Sequence, residues 1–307
     1  TEKNLKALLD VAAERGFRVA VDFDLNSPVM SGVDSYVENL RYLHTVHAAH
    51  PAYLRYGGRP VVFFYNVTRL PVATWQSIRD QVDPERKALW IAEGTDLKYQ
   101  SVFDGHHLYS ITWPSGTPPS QTLSSWGSKV RQASQDYGST KIWVATVMPG
   151  YDDRKARPDG GFAQPRDGGD YYRQCWEAAI ASEPQWVIVN SFNEWLEGSY
   201  IEPSQAYGRQ YLDLTRQWAA QFKSAGSAAG EALAPPLAPS PLPPTAKPPT
   251  PMPMPRTTVV VVEDERVVSQ DSLLGMRCGY VRTEDGPLAR WEVVCYSDPA
   301  RAILLVN

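Results

Sequence analysis

The chain has 307 residues, of which 43% are apolar and 21% charged, with a formal net charge of −4. At roughly 150 residues per domain this length suggests about two domains, and the mix is that of a folded protein, not a disordered one. The charge balance gives no basic field for nucleic acid, and no apolar run reaches the ~18 residues that a membrane-spanning helix needs.

The first residues predict a helix. Leu5, Leu8, Leu9 and Ala12 fall on one face, and Gly16 stops it. The chain does not open on Met, so a natural start further upstream is expected, and the compartment stays open, with secretion or the cell surface compatible. Phe17–Phe23 reads as a strand and Val33–Ala49 as a helix with Tyr36, Leu40 and Leu43 inward. Pro60–Tyr65 is a continuous apolar strand, followed by a helix at about 72–82. Leu89–Ala92 is a strand, His107–Ile111 a weaker one, and Thr122–Tyr137 a helix. Lys141–Val147 is a strand, Gly169–Ser182 a helix, Trp186–Val189 a strand and Tyr207–Phe222 a last helix. Apolar strands alternating with helices predict a parallel sheet covered on both faces.

The composition then changes. Residues 224–256 are rich in Ser, Ala and Pro, and eleven of the 21 residues from Pro235 to Pro255 are proline. Proline fixes φ and donates no backbone hydrogen bond, so an extended polyproline spacer is expected. A docking segment for a proline-reading module is the sharper alternative. Residues 257–307 are Val-rich and predict a small β-rich segment of no assignable function. Of three cysteines, Cys278 and Cys295 lie in that segment and are placed to pair, while Cys175 sits in a helical pattern as a buried thiol.

The strand ends carry the chemistry. Asp22 and Asp24 end the first strand, and Tyr65 and Asn66 the second. Glu93 and Asp96 follow the third, Trp113 the fourth, and Tyr151, Asp152 and Asp153 the fifth. Asn193, Glu194 and Glu197 follow the sixth. In a (β/α) barrel the carboxyl ends of the strands build the active site, and a doubly wound sheet also binds ligands there. No Gly-rich fingerprint follows a strand, so a nucleotide cradle is lacking. The barrel is the preferred α/β architecture. Six strands are legible where a closed (β/α)8 TIM-type barrel needs eight, so an open barrel is expected, with the missing pair upstream.

Glu194 and Glu197 are three apart. On an extended strand they would face opposite ways, whereas on a turn they converge, as two carboxyls acting on one glycosidic bond must. An arbitrary pair of this spacing is most often surface charge. This one follows a buried strand and is flanked by Asn193, Trp195 and Gly198.

The stretch SFNEWLEGSYIEPS (191–204) resembles the signature of glycoside hydrolase family 99, the endo-acting α-mannosidases and α-mannanases. The similarity continues through MPGYDDRKARP (148–158), RDGGDYYRQCWEAA (166–179) and AYGRQYLDLT (206–215), and upstream through HPAYLRYGGRPVVFFY (50–65) and FDGHHLYS (103–110). It covers residues 1 to about 222. The resemblance implies a (β/α)8 barrel that cleaves internal α-mannosidic bonds of α-mannan or a related mannose-containing oligosaccharide, with retention of configuration, through a 1,2-anhydro sugar. It implies Glu194 as the base for the sugar's own 2-hydroxyl and Glu197 as the acid/base. Tyr151 matches a tyrosine near the reacting centre, and Asp24 a strand-end acidic position. Asn193, Trp195 and Tyr65 complete the expected sugar contacts. No cofactor and no metal are implied. Leu196 stands where the family commonly has His, and Asp24 is one methylene shorter than the expected Glu. Two other readings stay open: a glycosyltransferase-like barrel of polysaccharide assembly with a similar Asn-Glu-Trp-x-Glu-Gly block, and a non-catalytic carbohydrate-binding barrel.

His44, His47 and His50 are spaced by three, but no acidic partner stands as in His-Glu-x-x-His. They are read as surface and end residues of one helix. His106 and His107 are expected to be structural, and no Gly-x-Ser-x-Gly elbow supports a serine nucleophile.

Overall fold

A computed structural model describes residues 2–27, 30, 32–114, 116–229, 277–282 and 291–296. One compact unit is built by Thr1–Phe222, and another falls within Lys223–Ala300. In chain order the elements are α1 (Glu2–Arg15), β1 (Val21–Asp24), α2 (Gly32–Thr45), β2 (Arg55–Tyr56), β3 (Arg59–Tyr65), α3 (Val72–Val82), β4 (Leu89–Glu93), β5 (Gly105–His107) and α4 (Pro119–Asp136). There follow β6 (Ile142–Val147), the short β7 (Tyr151–Asp152) and β8 (Ala163–Gln164), α5 (Asp170–Ala181), β9 (Trp186–Val189), α6 (Gln210–Ala229), and β10 (Arg277–Arg282) with β11 (Trp291–Tyr296).

Six strands form one parallel sheet in the order β1-β3-β4-β5-β6-β9. Spatial order follows chain order, as in a barrel. A doubly wound sheet would reverse direction at a switch point. Among the described residues, β1 pairs only with β3 and β9 only with β6. The sheet is therefore an open part of a (β/α)8 barrel, with six parallel strands where closure takes eight.

Alternation along the strands sorts the core. Val61, Phe63, Leu89, Ile91, Ile142, Val144 and Ile188 pack together on the inner, strand-only face. Their neighbours Val62, Phe64 and Trp90 turn outward onto Leu40, Leu43, Trp75 and Ile78 of the helices. Trp143, Ala145 and Val147 do the same against Leu123, Val130, Tyr172 and Cys175. A strand buried on both faces has no polar position to spare, which is why these segments are apolar throughout.

Several boundaries differ from expectation. Residues 17–20 make a single bridge, Val19 to Tyr53, and the strand proper starts at Val21. The strand read at His107–Ile111 lies at Gly105–His107 instead. Gly is a poor strand former, but here it is required. A Cβ on Gly105 would lie 2.7 Å from Ile91 Cδ1 and 2.8 Å from Ile142 Cβ. His44, His47 and His50 do not share one helix. α2 ends at Thr45, and His47 is buried in a separate 3-10 turn. Trp90 Nε1 donates to His44 Nε2 at 3.3 Å, and Ala52 N donates to His50 Nδ1 at 3.1 Å. Among the described residues no group of three His, Cys, Asp or Glu is arranged to hold a metal. His106 and His107 are buried in β5. Burial lowers both pKa values, to about 3 and about 4, and His106 stacks on Trp126 at 5.2 Å.

Cys175 is a buried free thiol, and burial pushes it up to about 12. α6 runs to Ala229, past the expected boundary at 223, because Ser-Ala-Gly-Ser-Ala-Ala contains no proline to stop it. The rest of the spacer expected at 224–256 lies outside the described residues. Of residues 257–307, only the antiparallel pair β10–β11 is described, and Cys278 and Cys295 are direct partners in its register. Among the described residues no helix is long and apolar enough to cross a membrane.

Candidate active site

The carboxyl ends of the strands gather the polar residues. β1 delivers Asp22 and Asp24, β3 delivers Tyr65, and β4 delivers Glu93. Tyr109 follows β5. Tyr151 and Asp153 follow β6, and the Asn190–Gly198 segment follows β9.

That last segment is a closed loop. Ser191 N donates to Ser199 O (3.0 Å), Ser199 N to Glu194 O (3.3 Å) and Ile201 N to Ser191 O (2.9 Å). Ser191 Oγ accepts from Glu194 N at 2.8 Å, a local side-chain bond that holds a turn. Asn190 Nδ2 donates to Tyr109 O at 2.6 Å and ties the loop to the β5 side of the sheet. Asp152 N donates to Glu197 O at 2.8 Å, and Arg166 Nη2 donates to Gly198 O and Tyr200 O at 2.9 and 2.8 Å. The Arg166 guanidinium is itself held 4.3–4.7 Å from the rings of Tyr200, Tyr207 and Tyr211. Gly198 has φ +63°, and a Cβ there would meet Asp152 N at 2.9 Å. Glycine is thus needed both for the turn and for the close approach of the loop to β7.

Trp195–Gly198 is a turn, so Glu194 and Glu197 are not thrown to opposite faces as on a strand. The Glu197 side chain is only 13% exposed. Tyr109 OH donates to its Oε2 at 2.9 Å, and Arg157 Nη2 donates to its Oε1 at 2.8 Å. Glu194 is held above the ordinary carboxylate range, first by burial and then by the charge of Glu197, with Arg157 opposing. Tyr109 feels both glutamates and stays a protonated donor, mainly through burial. The Tyr65 ring lies 5.2 Å from that of Tyr109, and burial raises its pKa too, with Glu93, Glu197, Asp24 and Asp22 adding to the shift. Tyr151 OH donates to Asp153 Oδ2 at 3.0 Å and accepts from Arg157 Nη1 at 2.8 Å.

Of the residues singled out in the sequence, Glu194, Glu197, Tyr151, Tyr65 and Asp24 therefore share one electrostatic environment. Asn193 lies on the exposed side of the loop, where its carbonyl accepts from Trp195 N at 2.8 Å. Trp195 is 49% exposed. Its ring stacks on Tyr200 at 3.9 Å, and its Nε1 donates to Glu202 Oε2 at 2.8 Å. Tyr109 and Arg157 were not singled out, although both lie inside quoted motifs. Placing a strand at 107–111 had put Tyr109 within the sheet instead of past its end. Asp96, also at a strand end, caps a 3-10 turn through Lys98 N at 3.1 Å.

A second acidic group faces the same rim. Burial, then the charges of Asp24 and Glu93, pushes Asp22 up to about 7 from its ordinary 3.8. Its Oδ1 is sealed from solvent without a hydrogen-bond partner. Between pH 4 and 7 the folded chain holds a proton that the unfolded chain has released, so this group makes stability fall as pH rises through that window. Asp22→Asn should remove that dependence. The variant should gain melting temperature over wild type at pH 8, with little gain at pH 4. A difference between the two proteins that is constant across pH would refute the assignment.

Comparison with known proteins agrees with this architecture. The sequence model of glycosyl hydrolase family 99 matches residues 1–224. The human glycoprotein endo-α-1,2-mannosidase-like protein is 28% identical over 250 residues, covering 70% of this chain and 52% of that protein. The rat glycoprotein endo-α-1,2-mannosidase is 27% identical over 219 residues, covering 60% and 46%. The chain spans about half the length of the curated relatives it matches. Among solved structures, the endo-α-mannosidase of Bacteroides thetaiotaomicron superposes with a TM-score of 0.64 at 27% identity, covering 73% of this chain and 76% of that one.

Proposed function

Because the chain belongs to glycosyl hydrolase family 99 through residues 1–224, we propose that it is the catalytic part of a retaining endo-α-mannosidase. Its substrate is an α-mannan or a mannose-containing oligosaccharide cut at internal α-mannosidic bonds. The observation that carries this reading is the Glu194–Glu197 turn at the carboxyl edge of the sheet, with Glu197 bonded by Tyr109 and Arg157.

In the first step Glu194 takes the proton of the sugar's 2-hydroxyl, and that oxygen attacks the anomeric carbon. The glycosidic bond breaks, and its oxygen leaves with the proton of Glu197. In the second step Glu197 takes a proton from water, the hydroxide attacks the anomeric carbon, and the 1,2-anhydro ring opens. The 2-oxygen recovers its proton from Glu194. Two inversions give net retention. A raised proton affinity suits Glu194 to this work, since a carboxylate that binds protons more tightly is a stronger base toward a hydroxyl. Tyr65, Tyr151 and Asp24 supply polar sugar contacts, Asn193 and the exposed face of Trp195 reach further sugar units, and the reaction as drawn uses no cofactor. By composition, residues 230–256 lead on from α6 as a spacer to the segment 257–307.

The test is incubation of the full-length protein with internally α-linked mannooligosaccharides. Products should be oligosaccharides released in the α configuration, seen by NMR before mutarotation. Exclusive release of the β anomer, or a requirement for a nucleotide-sugar donor, would overturn the proposal.

A further inference from the structure

Glu197 has no idle oxygen. Tyr109 holds Oε2, and Arg157 holds Oε1. Arg157 is itself anchored from behind. Its Nη1 donates to Asp153 Oδ2 at 2.6 Å and to Tyr151 OH at 2.8 Å. Asp153 is buried, and its other oxygen accepts from Phe162 N at 2.8 Å. The buried carboxylate is thus fixed by the backbone, the guanidinium is fixed by the carboxylate, and one edge of the fork remains for Glu197. This planar two-sided grip is what a guanidinium provides and an ammonium does not. The side chain is 53% exposed, so its purpose is not to fill a core.

We propose that Arg157 is a positioning residue for Glu197, braced on Asp153 and Tyr151, which aims the acid/base and stabilises its carboxylate as the proton leaves for the glycosidic oxygen. The inference rests on the roles given above to Glu194 and Glu197. The ionisable groups that face Glu197 are Tyr109, Tyr65, Tyr151, Glu194 and Arg157. Arg157 is the cation of this set, so its removal takes positive charge away from both carboxyls at once.

The experiment is the pH profile of kcat/KM for wild type, Arg157→Met and Arg157→Lys in the full-length protein, with melting temperatures as a control. In Arg157→Met the Glu194 carboxyl loses the cation that opposes its raised proton affinity and should keep its proton to higher pH. The limb set by the base, Glu194, should then move up by about one pH unit, the lower end of what an adjacent opposite charge does. kcat should fall at least on the order of tenfold and by no more than the roughly 10²–10⁴-fold that general acid–base help is worth, with KM changed far less. Arg157→Lys should restore that limb toward wild type while leaving kcat low, because a point charge replaces part of the field without the two-sided grip. A profile that merely scales down without moving, or full recovery of kcat with lysine, would overturn the proposal. Absence of hydrolysis in wild type would instead strike the functional reading itself, so the two failures are distinguishable.

Discussion

Glu197→Gln should lower hydrolysis by about 10²–10⁴-fold, the range that general acid–base help is worth, while the fold is kept. The amide has the shape of the carboxyl group. Its oxygen still accepts from Arg157 Nη2, and its NH2 faces the Tyr109 hydroxyl, which accepts as readily as it donates. What the amide cannot do is give up a proton to the leaving oxygen or take one from water. Both chemical steps lose their partner, so activated leaving groups should not rescue turnover fully. The loop itself is held by bonds to its backbone carbonyls from Asp152 N and from Arg166 Nη2, which the change does not touch. Initial rates on a mannooligosaccharide, with thermal melting alongside, check the claim. Turnover within a few-fold of wild type would remove Glu197 from the mechanism.

Arg79→Ala should cost about 3–5 kcal/mol, the usual penalty for removing one partner of a buried ion pair. Against a total stability of about 5–15 kcal/mol, that leaves a chain close to unfolding. Arg79 lies on α3 with its side chain 1% exposed. Its Nη2 donates to Asp104 Oδ2 at 2.7 Å and to Ala88 O at 3.2 Å, its Nη1 donates to Val102 O, and the guanidinium sits 4.9 Å over the Trp90 ring. Asp83 Oδ2 is 3.6 Å away. Burial lowers the Arg79 pKa, and the Asp104 carboxylate opposes that effect. Alanine would leave Asp104 with Arg59 Nη2 at 3.4 Å in place of its closest partner, strand the Val102 carbonyl, and open a cavity beside Trp90, while Ala88 O keeps the Arg59 donor at 2.7 Å. Urea unfolding should show an earlier midpoint at similar slope. Pairing Arg79→Met with Asp104→Asn should recover part of the loss, since Asp104 without Arg79 is a poorly compensated charge held only by the longer contact to Arg59. A single-variant loss below about 1 kcal/mol would show that the ion pair is not the tie between α3 and the sheet.

The legible parts of the fold were those in which one physical cause dominates. β3, β4, β6 and β9 are apolar on both faces, and their sequence runs fall on or beside the observed strands. α3 starts after Pro71, and its period places Trp75 and Ile78 inward. β5 was misplaced because its register is set by a glycine that lets Ile91 and Ile142 approach, a tertiary reason invisible to local propensity. The site divides in the same way. Glu194 and Glu197 share one turn and stand out on one line of sequence. Tyr109 is 88 positions from Glu197 and Arg157 is 40, and only the winding of the strands brings them together. His47 looked like surface on a long helix, but the break after Thr45 turns it inward against Tyr42.

Leu196 stands between the two glutamates, yet its side chain is 73% exposed. The ties that fix the loop run through the backbone of Glu194, Glu197, Gly198 and Ser199, and through Ser191 Oγ. Residue identity at 196 is therefore uncoupled from the placement of its neighbours. Such a position can drift under selection at little structural cost, because surface substitutions away from packing and hydrogen bonds usually stay within ±0.5 kcal/mol. A lineage that meets a new glycan can try polar, aromatic or aliphatic side chains there, one at a time, while the glutamates beside it stay where they are. The geometry makes this a place for change by single steps that leave the folding of the loop intact.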